Sequence, residues 1–199
     1  MKKTTLISSI ALATVFATLA FTPKKDTAYK INTQRSEVTW TGKKVTGEHT
    51  GKITLKEGSL SVDGKTIKGG SVEIDMNSIT CTDLTDAGYN AKLVGHLKSK
   101  DFFNVEQFAA SKFELTSVKA SGEGYEVSGK LTIKGISNDI SFPASVKFEG
   151  KTVAIVGKAT VNRTKYDIKY GSASFIENIG DKAISDEFML DIKLIASAN

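Results

Sequence analysis

Few side chains in this sequence could perform chemistry beyond hydrogen bonding. The chain has two histidines, His49 and His96, and one cysteine, Cys81. These are too few for a dense cysteine and histidine metal cluster, and one cysteine cannot form an internal disulfide. We therefore predict no metal site, a hydrogen-bonded structural role for His49, and for Cys81 an inert small residue rather than a nucleophile. A mixed site of one histidine and carboxylates from distant strands stays open as an alternative.

Motifs for nucleophilic or phosphate chemistry are absent from the sequence. No Gly-x-Ser-x-Gly elbow occurs, and no glycine-rich loop has the spacing of a phosphate cradle. We therefore predict a protein without catalytic residues and without a cofactor. The enzyme alternative would need His96 or His49 beside a carboxylate in a polar cavity, acting on a small amphiphile.

The phenylalanines are the more informative side chains. Phe102, Phe103, Phe108 and Phe113 fall within twelve residues. Such a cluster either fills a core or lines an apolar cavity. His96 lies just before it, either as a buried, hydrogen-bonded residue or as a polar group at a cavity mouth.

One helix is expected to position these residues. The segment from Asp86 to Ser99 places Tyr89, Leu93 and Leu97 at four-residue spacing on one predicted face. Its lysines, with Lys100 just beyond it, form either a solvated face or a surface for an anionic lipid headgroup; they are Lys92, Lys98 and Lys100. A second irregular segment, residues 163–185, is long for a turn, and such segments often carry function.

Alternation of apolar and polar residues covers most of the remaining chain and predicts β-strands. Short glycine turns separate the strands, which indicates antiparallel pairing. The predicted turns are Asp63-Gly64, Gly69-Gly70, Gly122-Glu123-Gly124 and Glu149-Gly150. Eight or more such strands close as a barrel or stack as a sandwich, and the pattern alone does not decide between them.

Composition and the N-terminal residues bound the cellular setting. Lys2 and Lys3 precede an uncharged stretch from Leu6 to Phe21, which predicts a secretory signal peptide over residues 1–20 and a single domain over residues 21–199. The predicted location is therefore periplasmic or secreted. The formal charge of +5 falls to +3 without the two leader lysines, so we expect no nucleic-acid partner.

Two motifs resemble those of the YceI-like family. The run His96-Leu97, followed by Asp101-Phe102-Phe103, is similar to its HL…DFF signature. The run 129–136, GKLTIKGI, with Ile140-Ser141-Phe142-Pro143 after it, is similar to its G-x-LTI-x-G strand pair. The resemblance spans about residues 28–196.

The resemblance implies a mainly β fold, an antiparallel lipocalin-like β-barrel with one short helix near a barrel end. It further implies binding of an isoprenoid-type lipid, an isoprenoid quinone or a prenyl phosphate, in an apolar cavity in the bacterial periplasm. Membrane contact would be peripheral at most, and homodimer formation stays open. The candidate cavity or mouth residues are Trp40, His96, Leu97, Phe102, Phe103, Phe113, Leu131, Ile133 and Phe142. A structural β-domain with a solid core is the remaining alternative.

Overall fold

Nine β-strands make up most of residues 26–198, the part of the chain described by this computed structural model. The strands are β1 (Thr27–Ile31), β2 (Glu37–Lys44), β3 (Gly47–Asp63), β4 (Thr66–Asp75), β5 (Ala110–Ser121), β6 (Gly124–Ile133), β7 (Ile136–Glu149), β8 (Thr152–Asn162) and β9 (Ile184–Ala198). The helix α1 (Ala87–Lys98) and three 3₁₀ turns (Met76–Ser78, Arg163–Tyr166 and Gly180–Lys182) lie in the connections. The predicted signal peptide, residues 1–20, lies outside the described residues.

Antiparallel pairing closes the sheet into a barrel. Each strand from β2 to β9 pairs with its neighbour in the order β3-β2-β9-β8-β7-β6-β5-β4, and β4 pairs back onto β3. The closed barrel has eight strands in its wall. This confirms the barrel that the family resemblance implied, and the sandwich alternative is wrong.

The short strand β1 lies between β3 and β9, as β2 does, but nearer to the other end of the barrel wall. It pairs with the far end of β3 on one side and with the end of β9 on the other. Residues 32–36 connect β1 to β2 and belong to neither strand. There, Ser36 Oγ accepts a hydrogen bond from the Ile195 N–H at 2.9 Å. Tyr29 and Ile31 are buried in the core, so β1 also fills the barrel at this end.

The two ends of the barrel differ. One, the hairpin end, has tight turns at Gly64, Gly122 and Gly150, all at positive φ, and these confirm three of the predicted turns. The other, the lid end, carries the two long connections: residues 76–109 with α1, and residues 163–183, here called the strap.

The predicted turn at Gly69-Gly70 is wrong, because both glycines lie inside β4. Gly70 instead allows β3 and β4 to approach each other closely. A Cβ on Gly70 would lie 2.5 Å from the Ser59 carbonyl oxygen and 2.7 Å from Leu60. The pairing between β3 and β4 also shifts register next to this point, so the glycines accommodate a bulge rather than a reversal.

The helix α1 has the predicted bounds, with Asp86 and Ser99 as its caps. The Asp86 carboxylate accepts the Tyr89 N–H at 2.9 Å, as expected of an N-cap. The predicted inward face was wrong at Tyr89, which is 69% exposed. Ala87, Gly88 and Tyr89 are all exposed, so the first turn of the helix lies away from the barrel wall.

No residue of α1 is fully buried, so the helix covers the barrel end without becoming part of the core. Among residues 26–198, no helix is long and apolar enough to cross a membrane.

Candidate ligand-binding cavity

The barrel interior holds two adjoining apolar chambers. The chamber towards the hairpin end has a free volume of about 90 Å³, and the chamber under the lid has about 130 Å³. Four side chains line both chambers and form a waist between them: Val38, Ile74, Leu131 and Leu190. The barrel interior therefore contains two small apolar cavities that share part of their lining.

Strand alternation supplies the apolar lining, because every second residue of a barrel strand points inwards. Towards the hairpin end, Phe113 and Phe142 pack with ring centroids 6.0 Å apart. In the lid chamber, Phe103 and Phe188 pack edge to face at 6.3 Å. Of the described residues, none with a charged side chain lines either chamber.

One buried hydroxyl beside the lid chamber lacks a hydrogen-bond partner among the described residues. Ser111, on β5, is 6% exposed and lines this chamber, and its Oγ lacks a hydrogen-bond partner within the described part of the chain. A buried hydroxyl without a partner costs about 1–3 kcal/mol. The surface of the chamber is wholly apolar, so this hydroxyl would have to rotate to meet a polar atom of a ligand.

The lid chamber is covered by the connection that carries α1. Leu97 of the helix and Phe103 just after it both line the chamber. Trp40 lines it from β2 and donates its indole N–H to the Thr80 carbonyl oxygen at 3.0 Å. Lys98 donates to the Asn77 carbonyl oxygen at 2.6 Å, which ties the end of α1 to the 3₁₀ turn below it.

The strap is anchored by one buried guanidinium. Arg163 is 3% exposed and donates to the carbonyl oxygens of four residues at 2.8–2.9 Å: Ile168, Tyr170, Ile184 and Ser185. Asp186 lies 3.7 Å from it and carries its countercharge. Burial lowers the pKa of Arg163, while Asp186 acts in the opposite direction.

An aromatic cluster joins the strap to α1. The His96 ring packs edge to face on Phe102 at 4.9 Å and on Tyr170 of the strap at 4.5 Å. Its Nε2 lies 3.4 Å from an Asp101 carboxylate oxygen. Because neither His96 nor Phe102 lines a chamber, the cluster closes the lid from above the cavity.

The other predicted cavity residues meet inside the barrel. Trp40, Leu97, Phe103 and Ile133 line the lid chamber, Phe113 and Phe142 line the hairpin-end chamber, and Leu131 lines both. Contact with a ligand remains a prediction for all nine candidates. The sequence analysis missed Ser111, whose alternation with apolar neighbours on β5 places it on the inner face.

A polar cluster on the barrel exterior was also missed. His49 Nδ1 lies 2.8 Å from one carboxylate oxygen of Asp83, and Cys81 Sγ donates to the other at 3.2 Å. The Thr50 N–H donates to this second oxygen at 2.9 Å. Partial burial of Asp83 alone would raise its pKa, but these hydrogen bonds outweigh burial and lower the pKa to about 2.

Comparison of the sequence with known proteins finds curated relatives that are named UPF0312 proteins. A UPF0312 protein of Photorhabdus laumondii is 45% identical over 56 residues, covering 28% of this chain and 29% of the relative. A UPF0312 protein of Yersinia pestis is 32% identical over 94 residues, covering 47% and 46%. The alignments thus span less than half the length of these relatives.

Solved structures share the barrel. Burkholderia cenocepacia BcnA superimposes with a TM-score of 0.66 at 22% identity, covering 84% of this chain and 99% of that one. A polyisoprenoid binding domain from Saccharophagus degradans, implicated in plant cell wall breakdown, gives 0.64 at 16% identity, covering 87% and 99%. At these identities the likeness establishes the fold.

A description of a whole protein family also matches most of the chain. The family model of the YceI-like domain matches residues 29–196, which extend from β1 to near the end of β9. It therefore includes both chambers, α1 and the strap. On this match the chain belongs to the YceI-like family.

Proposed function

We propose that this protein binds one slender isoprenoid-type lipid along the barrel axis and carries or stores it in the periplasm without changing it chemically. The observation that carries the proposal is the pair of adjoining chambers lined by apolar side chains. The polyisoprenoid binding domain of Saccharophagus degradans, which has the same fold, supports this class of ligand. The predicted signal peptide supports the location.

The shape of the cavity favours a thread-like ligand. A dry cavity of about 150 Å³ admits a molecule the size of benzene. Each chamber, at about 90 and 130 Å³, therefore takes a short piece of a chain, and a longer chain must pass the waist. Rotation of Phe113 and Phe103, which line the two chambers, would lengthen the space available to such a chain.

Apolar burial alone does not explain selective binding. Burial of a CH₂ group from water is worth about 0.8 kcal/mol, but an envelope lipid already has its tail in a membrane. The net gain from the tail is small, so shape and the polar end determine affinity. Ser111 offers one hydroxyl and the lining offers no cation, which favours a quinone carbonyl or an alcohol over a phosphate inside the barrel.

The first test fills the waist. Leu131→Trp adds a large ring where the chambers meet, and Lys130→Trp adds the same ring on the exposed outer face of the same strand. We expect the first variant to lose binding of added isoprenoid quinone by at least about 10-fold and the second to bind like the wild type. Circular dichroism would show that both variants keep the barrel.

The matching measurement on the unaltered protein is native mass spectrometry after purification from its own envelope, followed by organic extraction. One isoprenoid per chain is the expected result. Protein that emerges empty and also rejects added quinones and prenyl alcohols would overturn the proposal.

A further inference from the structure

Three different metal-binding side chains meet on the outside of the barrel, away from the chambers. His49 lies near the start of β3, whereas Cys81 and Asp83 lie in the connection between β4 and α1. One nitrogen, one sulfur and one oxygen atom of these side chains all lie within 4.8 Å of one another. Neither His49 nor Asp83 is deeply buried, since each side chain is 31% exposed, while Cys81 is buried behind them.

The fold holds this connection rigidly against β3. The Thr80 N–H donates to the Lys52 carbonyl oxygen at 3.0 Å, and the Thr82 N–H donates to the Thr50 carbonyl oxygen at 2.9 Å. Between them, a Cβ on Gly51 would lie 1.8 Å from the Thr80 carbonyl oxygen. Only glycine permits this approach, which brings Cys81 and Asp83 to His49.

The helix α1 secures the other side of the same connection. The Asn90 side-chain amide donates to the carbonyl oxygens of Cys81 and Leu84, both at 3.0 Å. The backbone around Cys81 is therefore fixed from β3 and from α1. Little reorganisation is needed to bring the three side-chain donors around one ion.

We propose that His49, Cys81 and Asp83 bind a divalent transition-metal ion of the Zn²⁺ type. Imidazole, thiolate and carboxylate together form a mixed donor set that suits the borderline-soft Zn²⁺ ion. Three protein ligands leave the fourth tetrahedral position, on the solvent side, to water.

Metal binding would replace protons that now hold the cluster together. The Cys81 S–H and, in the tautomer that satisfies the contact, the His49 Nδ1–H donate to the Asp83 carboxylate. On binding, Cys81 loses its thiol proton to solvent and His49 moves its proton from Nδ1 to Nε2, so that each freed lone pair faces the ion. The Cys81 thiolate and the Asp83 carboxylate together supply the two negative charges that balance the divalent ion.

The direct test is titration of the metal-free full-length protein with Co²⁺ and then Zn²⁺. A cobalt–thiolate charge-transfer band that Zn²⁺ abolishes is expected, because Cys81 supplies the only thiol of the chain. Cys81→Ser should abolish the band, and His49→Gln and Asp83→Asn should each weaken Zn²⁺ affinity by at least about 10-fold. His96→Gln, the other histidine beside a carboxylate, is the matched control and should leave affinity unchanged.

A second readout uses only the wild-type chain, in case a variant fails to fold. Zn²⁺ should slow the alkylation of Cys81, whereas Mg²⁺, which prefers oxygen ligands, should not. Absence of the cobalt–thiolate band, or equal protection by both ions, would overturn the metal site. Neither outcome bears on lipid binding, because none of the three residues lines a chamber.

Discussion

Ser111 combines two properties that one substitution can separate. Its hydroxyl is buried without a partner in the described structure, and the residue lines the lid chamber. We expect Ser111→Ala to raise the stability of the ligand-free protein, by about 1 kcal/mol, because an unsatisfied polar group is removed. The same change should reduce the preference for a prenyl alcohol over its hydrocarbon analogue by about 3- to 10-fold.

Thermal unfolding and paired binding titrations would measure both effects. Ser71→Ala is the matched control, since Ser71 lines the other chamber. A preference that survives in Ser111→Ala would show that the polar end of the ligand binds elsewhere.

Asp186 gives the strap a dependence on pH. Hydrogen bonds from Ser172 and Ser174, with the charge of Arg163, lower the pKa of Asp186 below its ordinary 3.8, although burial opposes them. A lowered carboxyl pKa stabilises the fold above the ordinary value and loses that contribution as the pH falls below it.

We therefore expect Asp186→Asn to be less stable than the wild type near neutral pH and to lose less stability on acidification. Thermal unfolding between about pH 6 and pH 2 would measure this difference. Asp139→Asn, 87% exposed on the outer wall, should follow the wild-type curve. Parallel curves for Asp186→Asn and the wild type would contradict the assignment.

At the scale of elements, α1 is held by its caps and by a few side chains rather than by burial. Gly95 has open space where a Cβ would stand, whereas a Cβ on Gly88 would lie 3.2 Å from the Asp86 carboxylate that caps the helix. Gly95→Ala should therefore stabilise the helix by about 1 kcal/mol and slow exchange of its amide hydrogens about fivefold.

Hydrogen exchange of residues 87–98 measures this directly. Gly88→Ala is the control and should gain less, because the new methyl group crowds the cap. If α1 is the gate of the proposed lipid cavity, Gly95→Ala should also slow ligand release. Equal slowing by both substitutions would show that the cap does not limit the helix.

Sequence patterns predicted most of the elements for physical reasons that are local. Alternation marked the strands, and positive-φ glycines such as Gly64, Gly122 and Gly150 marked the hairpins. The same reasoning failed at Gly69-Gly70, because a glycine that admits a neighbouring strand looks like one that turns the chain. It also placed Tyr89 on the wrong face of α1.

The cavity and the polar cluster depend on contacts between residues that are distant in sequence, which local sequence patterns cannot predict. Seven of the nine predicted cavity residues line the chambers. Four of these were predicted from their positions in the family motifs: Leu97, Phe103, Leu131 and Ile133. The meeting of His49 with Cys81 and Asp83 depends on a chain reversal of more than thirty residues. Gly51 was the one sequence feature that pointed to this contact, because a glycine inside a strand often marks a place where another backbone segment approaches closely.

At the scale of the whole molecule, β1 completes the wall. Its five residues pair with β3 and β9 and leave neither edge open at the hairpin end. Removing residues 27–31 should expose both edges, cause self-association, and lower the unfolding temperature. Size-exclusion chromatography with light scattering would detect this. A chain that begins at Asp26 is the control, and a monodisperse truncated chain would contradict the prediction.

The asymmetry of the barrel ends has a mechanical consequence. Tyr29, Ile31 and Val62 are buried at the hairpin end, whereas the lid end is covered by α1, in which no residue is fully buried. A lipid bound as proposed would therefore enter and leave at the lid end, and the last part to enter would be the first to leave. Such a carrier would not act as a tunnel between two membranes. It would have to leave the donor, turn round, and present the same face to the acceptor.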